Sequence, residues 1–229
     1  MNPEPRPQLA GLRIADPPER WEALGFAIGP GQTCDLGGVR IHLGAPGTGI
    51  TAWSIRGLGA PGLGAPGAGA RGLGAPTDID GLATEPPPAD EAPPTRHPNG
   101  AISLDHVVVL TPDFDRTSRA LAAASMPLRR VRRVGDEHDA ASFRQGFRRV
   151  GSAILELVET KVEPASGPAR FSGLVVIAED LDGLKRRLQD GLGEPRPAVQ
   201  PGRRIATLGH AAGLTPRVAF MTPEPDKNA

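Results

Sequence analysis

The side chains in this 229-residue sequence best able to grip a ligand are arginines. Arg129, Arg130, Arg132 and Arg133 come close together, followed by Arg144, Arg148 and Arg149. On paired strands some of these project from one face, where guanidinium groups offer bidentate donors to carboxylate, phosphonate or phosphate. The simpler reading is a solvated sheet surface neutralised by Asp136, Glu137 and Asp139. Arg203 and Arg204 follow Gln200-Pro201-Gly202, a turn leading into a cavity-lining strand. Arg144, Arg148, Arg203 and Arg204 are therefore the candidate contacts to a small anionic ligand.

Other reactive signatures fall away on inspection. Cys34 sits in a short N-terminal strand with no neighbouring histidine or helix start to lower its pKa, so it reads as an inert core thiol. Gly57-Leu58-Gly59-Ala60-Pro61-Gly62 matches the dinucleotide fingerprint GxGxxG, but only as a by-product of a Gly-Leu-Gly-Ala-Pro repeat. Pro61 and the glycines after it cannot open the phosphate-binding helix that the fingerprint requires. Gly44-Ala45-Pro46-Gly47-Thr48-Gly49 lacks the lysine of a phosphate loop, and no serine nucleophile elbow occurs.

Composition narrows the partners. Lys+Arg and Asp+Glu are 26 each, so no net field draws the chain to nucleic acid or to an acidic membrane. With no tyrosine, six phenylalanines and two tryptophans, aromatic stacking platforms for single strands are scarce. A single cysteine forbids an internal disulfide and a cysteine-based zinc site. Residues 1–7 lack the basic and apolar regions of a signal peptide, and no apolar run approaches the ~18 residues that span a bilayer. A cytoplasmic protein is expected.

The elements that must position these residues follow an internal repeat. Residues 105–126 read as a buried strand, a turn and a helix, and the pattern returns at 172–192, 67 positions later, with Asp113, Phe114 and Asp115 matching Asp180, Leu181 and Asp182. An acid near each helix start favours the positive end of the helix dipole. Leu181, Leu184, Leu188 and Leu192 recur at helical spacing and give one apolar face. Strands are predicted afterwards at 128–134, 143–150 and 153–159, and again at 196–199, 203–208 and 217–221, so each unit is β-α-β-β-β. A degenerate N-terminal pair is expected over 8–56, with a third copy at 9–43. A fourth starts at 49–55, with its helix start at Asp78-Ile79-Asp80-Gly81-Leu82 and no room for its last three strands. Between them, residues 57–100 hold 10 glycines and 9 prolines, too costly to order, and read as a disordered insertion and linker.

Leu104-Asp105-His106-Val107-Val108-Val109, Pro112-Asp113-Phe114-Asp115 and Ile154-Leu155-Glu156-Leu157-Val158-Glu159 resemble the first module of the vicinal oxygen chelate superfamily. That superfamily includes glyoxalase I, extradiol dioxygenases and the fosfomycin- and bleomycin-resistance proteins. Residues 171–188 and 200–222 resemble its second module. The resemblance implies an α+β fold: paired βαβββ modules forming a half-open curved sheet around a cavity, a glyoxalase-like domain over 101–222, and a truncated module pair before it.

The superfamily's enzymes hold a divalent metal with residues on the first and last strands of each module. His106 and Glu156 match the first module's ligands. Gly173 and Phe220 fall at the matching places of the second module, where neither can ligate, so a third ligand would have to come from His138, His210 or a partner in a homodimer. The implied function is binding of a small, anionic molecule, with lyase, isomerase or dioxygenase chemistry if a metal is held. The alternatives are a metal-free, antibiotic-binding type of module and a degenerate structural or interaction module.

Overall fold

The computed structural model describes residues 6–58, 77–136, 142–161 and 167–225. Two mixed sheets carry the chain, each assembled by the same rule.

In the C-terminal half the first module runs β7 (Ala101–Thr111), α2 (Phe114–Ala123), β8 (Arg130–Val134), β9 (Phe143–Val150) and β10 (Ala153–Glu159). The second runs β11 (Arg170–Ala178), α3 (Leu181–Leu188), β12 (Arg196–Pro197), β13 (Arg204–Thr207) and β14 (Arg217–Met221). The two modules join through their first strands, β7 antiparallel to β11, into an open eight-stranded sheet ordered β12-β13-β14-β11-β7-β10-β9-β8. Within each module the last strand returns parallel to the first, β10 beside β7 and β14 beside β11.

Side-chain alternation sets the faces. Leu155 and Leu157 are fully buried against the helices, whereas Glu156 and Val158 between them line a cavity on the other side. Helices α2 and α3 start where the sequence predicts: Asp113 accepts the Arg116 amide at 2.9 Å and Asp180 accepts the Gly183 amide at 2.8 Å, each capping an orphan donor. Their apolar stripes, Phe114 and Leu121 on one and Leu181 and Leu184 on the other, bury on the sheet.

The N-terminal half repeats the rule with pieces missing. β1 (Gln8–Ile14), α1 (Pro18–Ala23), β2 (Thr33–Leu36) and β3 (Val39–His42) form one module, whose remaining strand is reduced to a single bridge from Gly29 to Thr33. β4 (Ile50–Arg56), β5 (Thr77–Ile79) and β6 (Leu82–Glu85) belong to the next, in a six-stranded sheet ordered β2-β3-β1-β4-β6-β5. Here the structure corrects the sequence reading: Asp78–Leu82 is no helix start, and 77–85 is a hairpin supplying the last two strands of the fourth module. Its turn explains why. Asp80 and Gly81 both take positive φ, 53° and 92°, as a two-residue Asp-Gly hairpin loop demands. The strand β6 then runs parallel to β4, as a closing strand should.

Residues 86–100, expected as a disordered linker, lie across the N-terminal sheet. Arg56 donates to the carbonyls of Pro88 and Asp90, and His97 is buried between the Ala27 amide and the Asp35 carbonyl. The glycine-rich repeat at 59–76 lies outside the described residues. One continuous apolar core joins both halves, with Phe220 of β14 stacked on Phe26 and Trp53 of β4 edge-on to Phe171 of β11. No helix among the described residues is long and apolar enough to cross a membrane.

Candidate functional site

The site begins with a bulge. Along the β7–β11 ladder His106 pairs with Val175 and Leu104 pairs with Val176, which leaves Asp105 as an extra residue between them. A bulged residue loses the strict alternation of a strand, so Asp105 turns onto the same face as His106. Its Oδ2 lies 2.7 Å from His106 Nδ1. Across β10, Glu156 Oε2 lies 3.2 Å from His106 Nε2. Gln145 of β9 donates to Glu156 Oε1 at 2.8 Å, and Arg132 of β8 donates to Gln145 Oε1 at 2.8 Å. Behind Asp105, Arg203 donates to its Oδ1 at 2.9 Å and to the Thr222 carbonyl at 2.8 Å. Charges therefore alternate along Arg203, Asp105, His106 and Glu156, all at least 85% shielded from solvent at the side chain.

The electrostatics follow from this order. Burial pulls the His106 pKa down, but the hydrogen bonds and charges of Asp105 and Glu156 outweigh it and raise the value from 6.5 to about 9. Burial pushes Asp105 up, and His106 with Arg203 more than reverses it, holding the carboxyl below its ordinary range. At neutral pH His106 is an imidazolium with both N–H groups spent on carboxylates.

The donor set decides how well a metal fits. A ligating histidine must offer a neutral ring nitrogen, and a divalent ion wants three or four protein donors. Here both ring nitrogens are occupied by hydrogen bonds. The second module supplies nothing: the bulge recurs at Ser172, 67 residues after Asp105, so Gly173 stands where His106 stands. His106 pairs with Ile154 and Gly173 pairs with Arg217, which makes Ala219, not Phe220, the counterpart of Glu156. Phe220 points into the core instead. His210 opens a 3-10 turn and does not line the cavity, and His138 lies outside the described residues. No group of three metal-capable side chains converges among the described residues. Among the described residues, the donors present do not fit a divalent ion.

Beside this polar wall the sheet encloses a cavity of about 1360 Å³. Its floor is apolar, with Val108, Leu110, Val158, Val175, Val218 and Ala219, and Phe143 and Phe171 stand at its sides. The N-terminal half closes one edge through Thr48–Thr51, where the Gly49 amide donates to Thr215 Oγ1 at 2.8 Å. Thr215 in turn donates through its amide and hydroxyl to buried Asp16, which also accepts from Trp21 Nε1.

The four predicted anion-binding arginines do not meet there. Arg144 lies on the helix side of β9, over the Phe114 ring and paired with Glu159 at 2.8 Å and Asp115 at 2.9 Å. Arg148 shares that face by strand alternation, and burial and Arg129 hold its pKa down. Arg204 points to Asp182 of α3. Only Arg203 of the four is tied to the polar wall, and there it holds Asp105. Sequence reasoning missed Arg170, Arg196 and Arg217, which do line the cavity and make no ion pair among the described residues. The alternation signal was available for Arg217, two residues before Ala219 on one strand face, whereas Arg170 reaches the cavity face only because Ser172 is bulged. Cys34 is buried, and burial with the neighbouring Asp35 charge pushes its thiol up to about 12.

No family model matches the sequence, and no curated protein is similar enough to match it. Among solved structures, a triple mutant of 4-hydroxymandelate synthase from Streptomyces coelicolor is 17% identical, with a TM-score of 0.58 over 95% of this chain and 93% of that one. Methylmalonyl-CoA epimerase from Mycobacterium tuberculosis is 20% identical, with a TM-score of 0.43 over 55% of this chain and 91% of that one. A variant of the Streptomyces coelicolor epimerase in complex with 2-nitronate-propionyl-CoA is 18% identical, with a TM-score of 0.39 over 53% and 97%. The first similarity and the strand order together give the fold: this chain shares the α+β fold of that synthase, two pairs of βαβββ modules in open sheets, the first pair incomplete.

Proposed function

We propose that this protein binds a small organic molecule in the cavity of its 101–222 half and does so without a metal. The observation that carries the reading is His106, held between Asp105 and Glu156 with each ring nitrogen within 3.2 Å of a carboxylate oxygen. In that arrangement His106 and Glu156 satisfy one another, and Glu156 with Gln145 presents a fixed polar wall to the cavity. The apolar floor supplies the bulk of the contact area, as small-molecule sites generally do. A bound molecule meets a hydrogen-bonding edge at Glu156 and Gln145 and hydrophobic surface below it. This favours the sequestering type of module over the metal-dependent one, and no lyase, isomerase or dioxygenase step is assigned to it.

Two measurements test the reading. Elemental analysis of the purified chain, with His106→Ala beside it, is expected to give far less than one equivalent of divalent metal in both. One equivalent that disappears in the variant contradicts the metal-free site. Nile red, a neutral dye that brightens in apolar surroundings, is expected to bind the full chain and to be displaced by Thr207→Trp, a substitution at an exposed position of the cavity wall. Undiminished dye binding in that variant contradicts the location.

A further inference from the structure

The acids and bases around the cavity are unevenly matched. Glu156 is the carboxylate among the lining residues, and it is already occupied by His106 and Gln145. Arg170, Arg196 and Arg217 line the same space, are exposed, and have no acidic partner among the described residues. Among the described residues the cavity therefore presents three positive charges without an acidic partner, beside a chain of ion pairs that is neutral overall.

The strand register says where they act. Glu156, Val108, Gly173 and Arg217 stand in one row across β10, β7, β11 and β14. Three inter-strand steps separate the ends of that row, roughly 14 Å. Gly173 has no side chain, and the place corresponding to Glu156 is Ala219, so the floor beside Arg217 is bare. Arg170 lies three residues before Gly173 on the neighbouring parallel strand, about 10 Å along it, within reach of two extended arginine side chains turned toward each other. Its place on the cavity face depends on the bulge at Ser172.

We infer that Arg170 and Arg217 form a phosphate subsite, and that the ligand is a phosphate ester whose apolar body lies over Val108, Val175 and Ala219. The inference rests on the cavity reading above. A single carboxylate would leave most of this charge unmatched, whereas a phosphate ester carries close to two charges and several acceptor oxygens for guanidinium forks. Arg196, paired with Ile205 on the outer strands, stands toward the other end of the cavity and adds to the field.

Calorimetric titration of the full chain with phenyl phosphate at low salt tests this, with benzoate as the monocarboxylate of similar body. Phenyl phosphate is expected to bind at least tenfold more tightly than benzoate, and Arg170→Gln with Arg217→Gln is expected to weaken it at least tenfold. Arg204→Gln, on the helix side, is expected to leave it unchanged. Both targeted arginines are exposed and make no ion pair among the described residues, so circular dichroism of the double variant should match the parent. Equal binding of the two anions, or full phenyl phosphate binding by the double variant, overturns the phosphate subsite. Loss of phenyl phosphate binding by the parent while Nile red still binds overturns the subsite alone, and loss of both overturns the cavity reading as well.

Discussion

Asp105 and His106 are consecutive along one β-strand, yet their side chains meet on the same face, Oδ2 2.7 Å from Nδ1. Ordinary strand geometry sends neighbours to opposite faces. The bulge at Asp105 removes that rule locally, and Arg203 anchors the re-aimed carboxylate from behind. A pattern capable of presenting a metal ligand presents a closed ion-pair chain.

The first consequence is a pH dependence. His106 titrates at about 9 in the fold against 6.5 ordinarily: burial lowers it, and Asp105 and Glu156 raise it by more. Because the folded value is the higher one, the stabilisation is complete below about pH 6.5 and is lost as pH rises through about 9. Urea denaturation across that interval is expected to show falling stability, by roughly 3 kcal/mol as an upper bound. The His106→Gln variant is expected to show a flatter profile.

Arg203 should matter for stability well beyond an ordinary surface arginine. Arg203→Met leaves Asp105 with one cationic partner fewer in a buried setting. Breaking a buried pair on one side costs about 3–5 kcal/mol, readable as a lower denaturant midpoint. Arg204→Met, whose partner Asp182 lies in solvent, is expected to leave the denaturant midpoint essentially unchanged.

Gly173 answers to backbone packing. A Cβ there would stand 2.2 Å from the Arg217 carbonyl oxygen and 2.8 Å from Arg217 Cβ, and neither can swing away. Gly173→Ala is expected to destabilise by about 1–3 kcal/mol through forced strand separation, measured as a drop in Tm. Gly191→Ala, which meets nothing within 4 Å, is the matched control.

Asp16 ties the two halves together by accepting from both donors of Thr215, while Trp21 Nε1 holds its other oxygen. Asp16→Ala leaves these donors without their acceptor, at a cost of about 1–3 kcal/mol for a buried group. Faster hydrogen exchange at Gly49 and Thr215 is expected, together with weaker Nile red binding as the cavity edge loosens.

The C-terminal half was largely legible in the sequence. The 67-residue repeat is the pseudo-twofold of the sheet, down to the paired bulges at Asp105 and Ser172, and β9 and β10 fall on the predicted residues. The cues were long apolar runs and capping acids, which act locally. The N-terminal half misled because Asp78-Ile79-Asp80 imitates the helix starts at Asp113 and Asp180, while the Asp80-Gly81 hairpin signal lay one residue further on. The arginines were misassigned for a different reason: alternation fixes which residues share a face, but which face looks onto the cavity depends on where the helices pack. Arg144 and Arg148 fell on the wrong side of that choice. The ion-pair chain was invisible because a bulge is a property of two strands together.

The most direct test is an NMR titration of the His106 ring in the full chain. A doubly protonated imidazolium through pH 7, titrating near 9 and returning toward its ordinary value in Asp105→Asn, is the predicted result. A neutral ring at pH 7 that shifts on adding one equivalent of zinc would contradict the metal-free site.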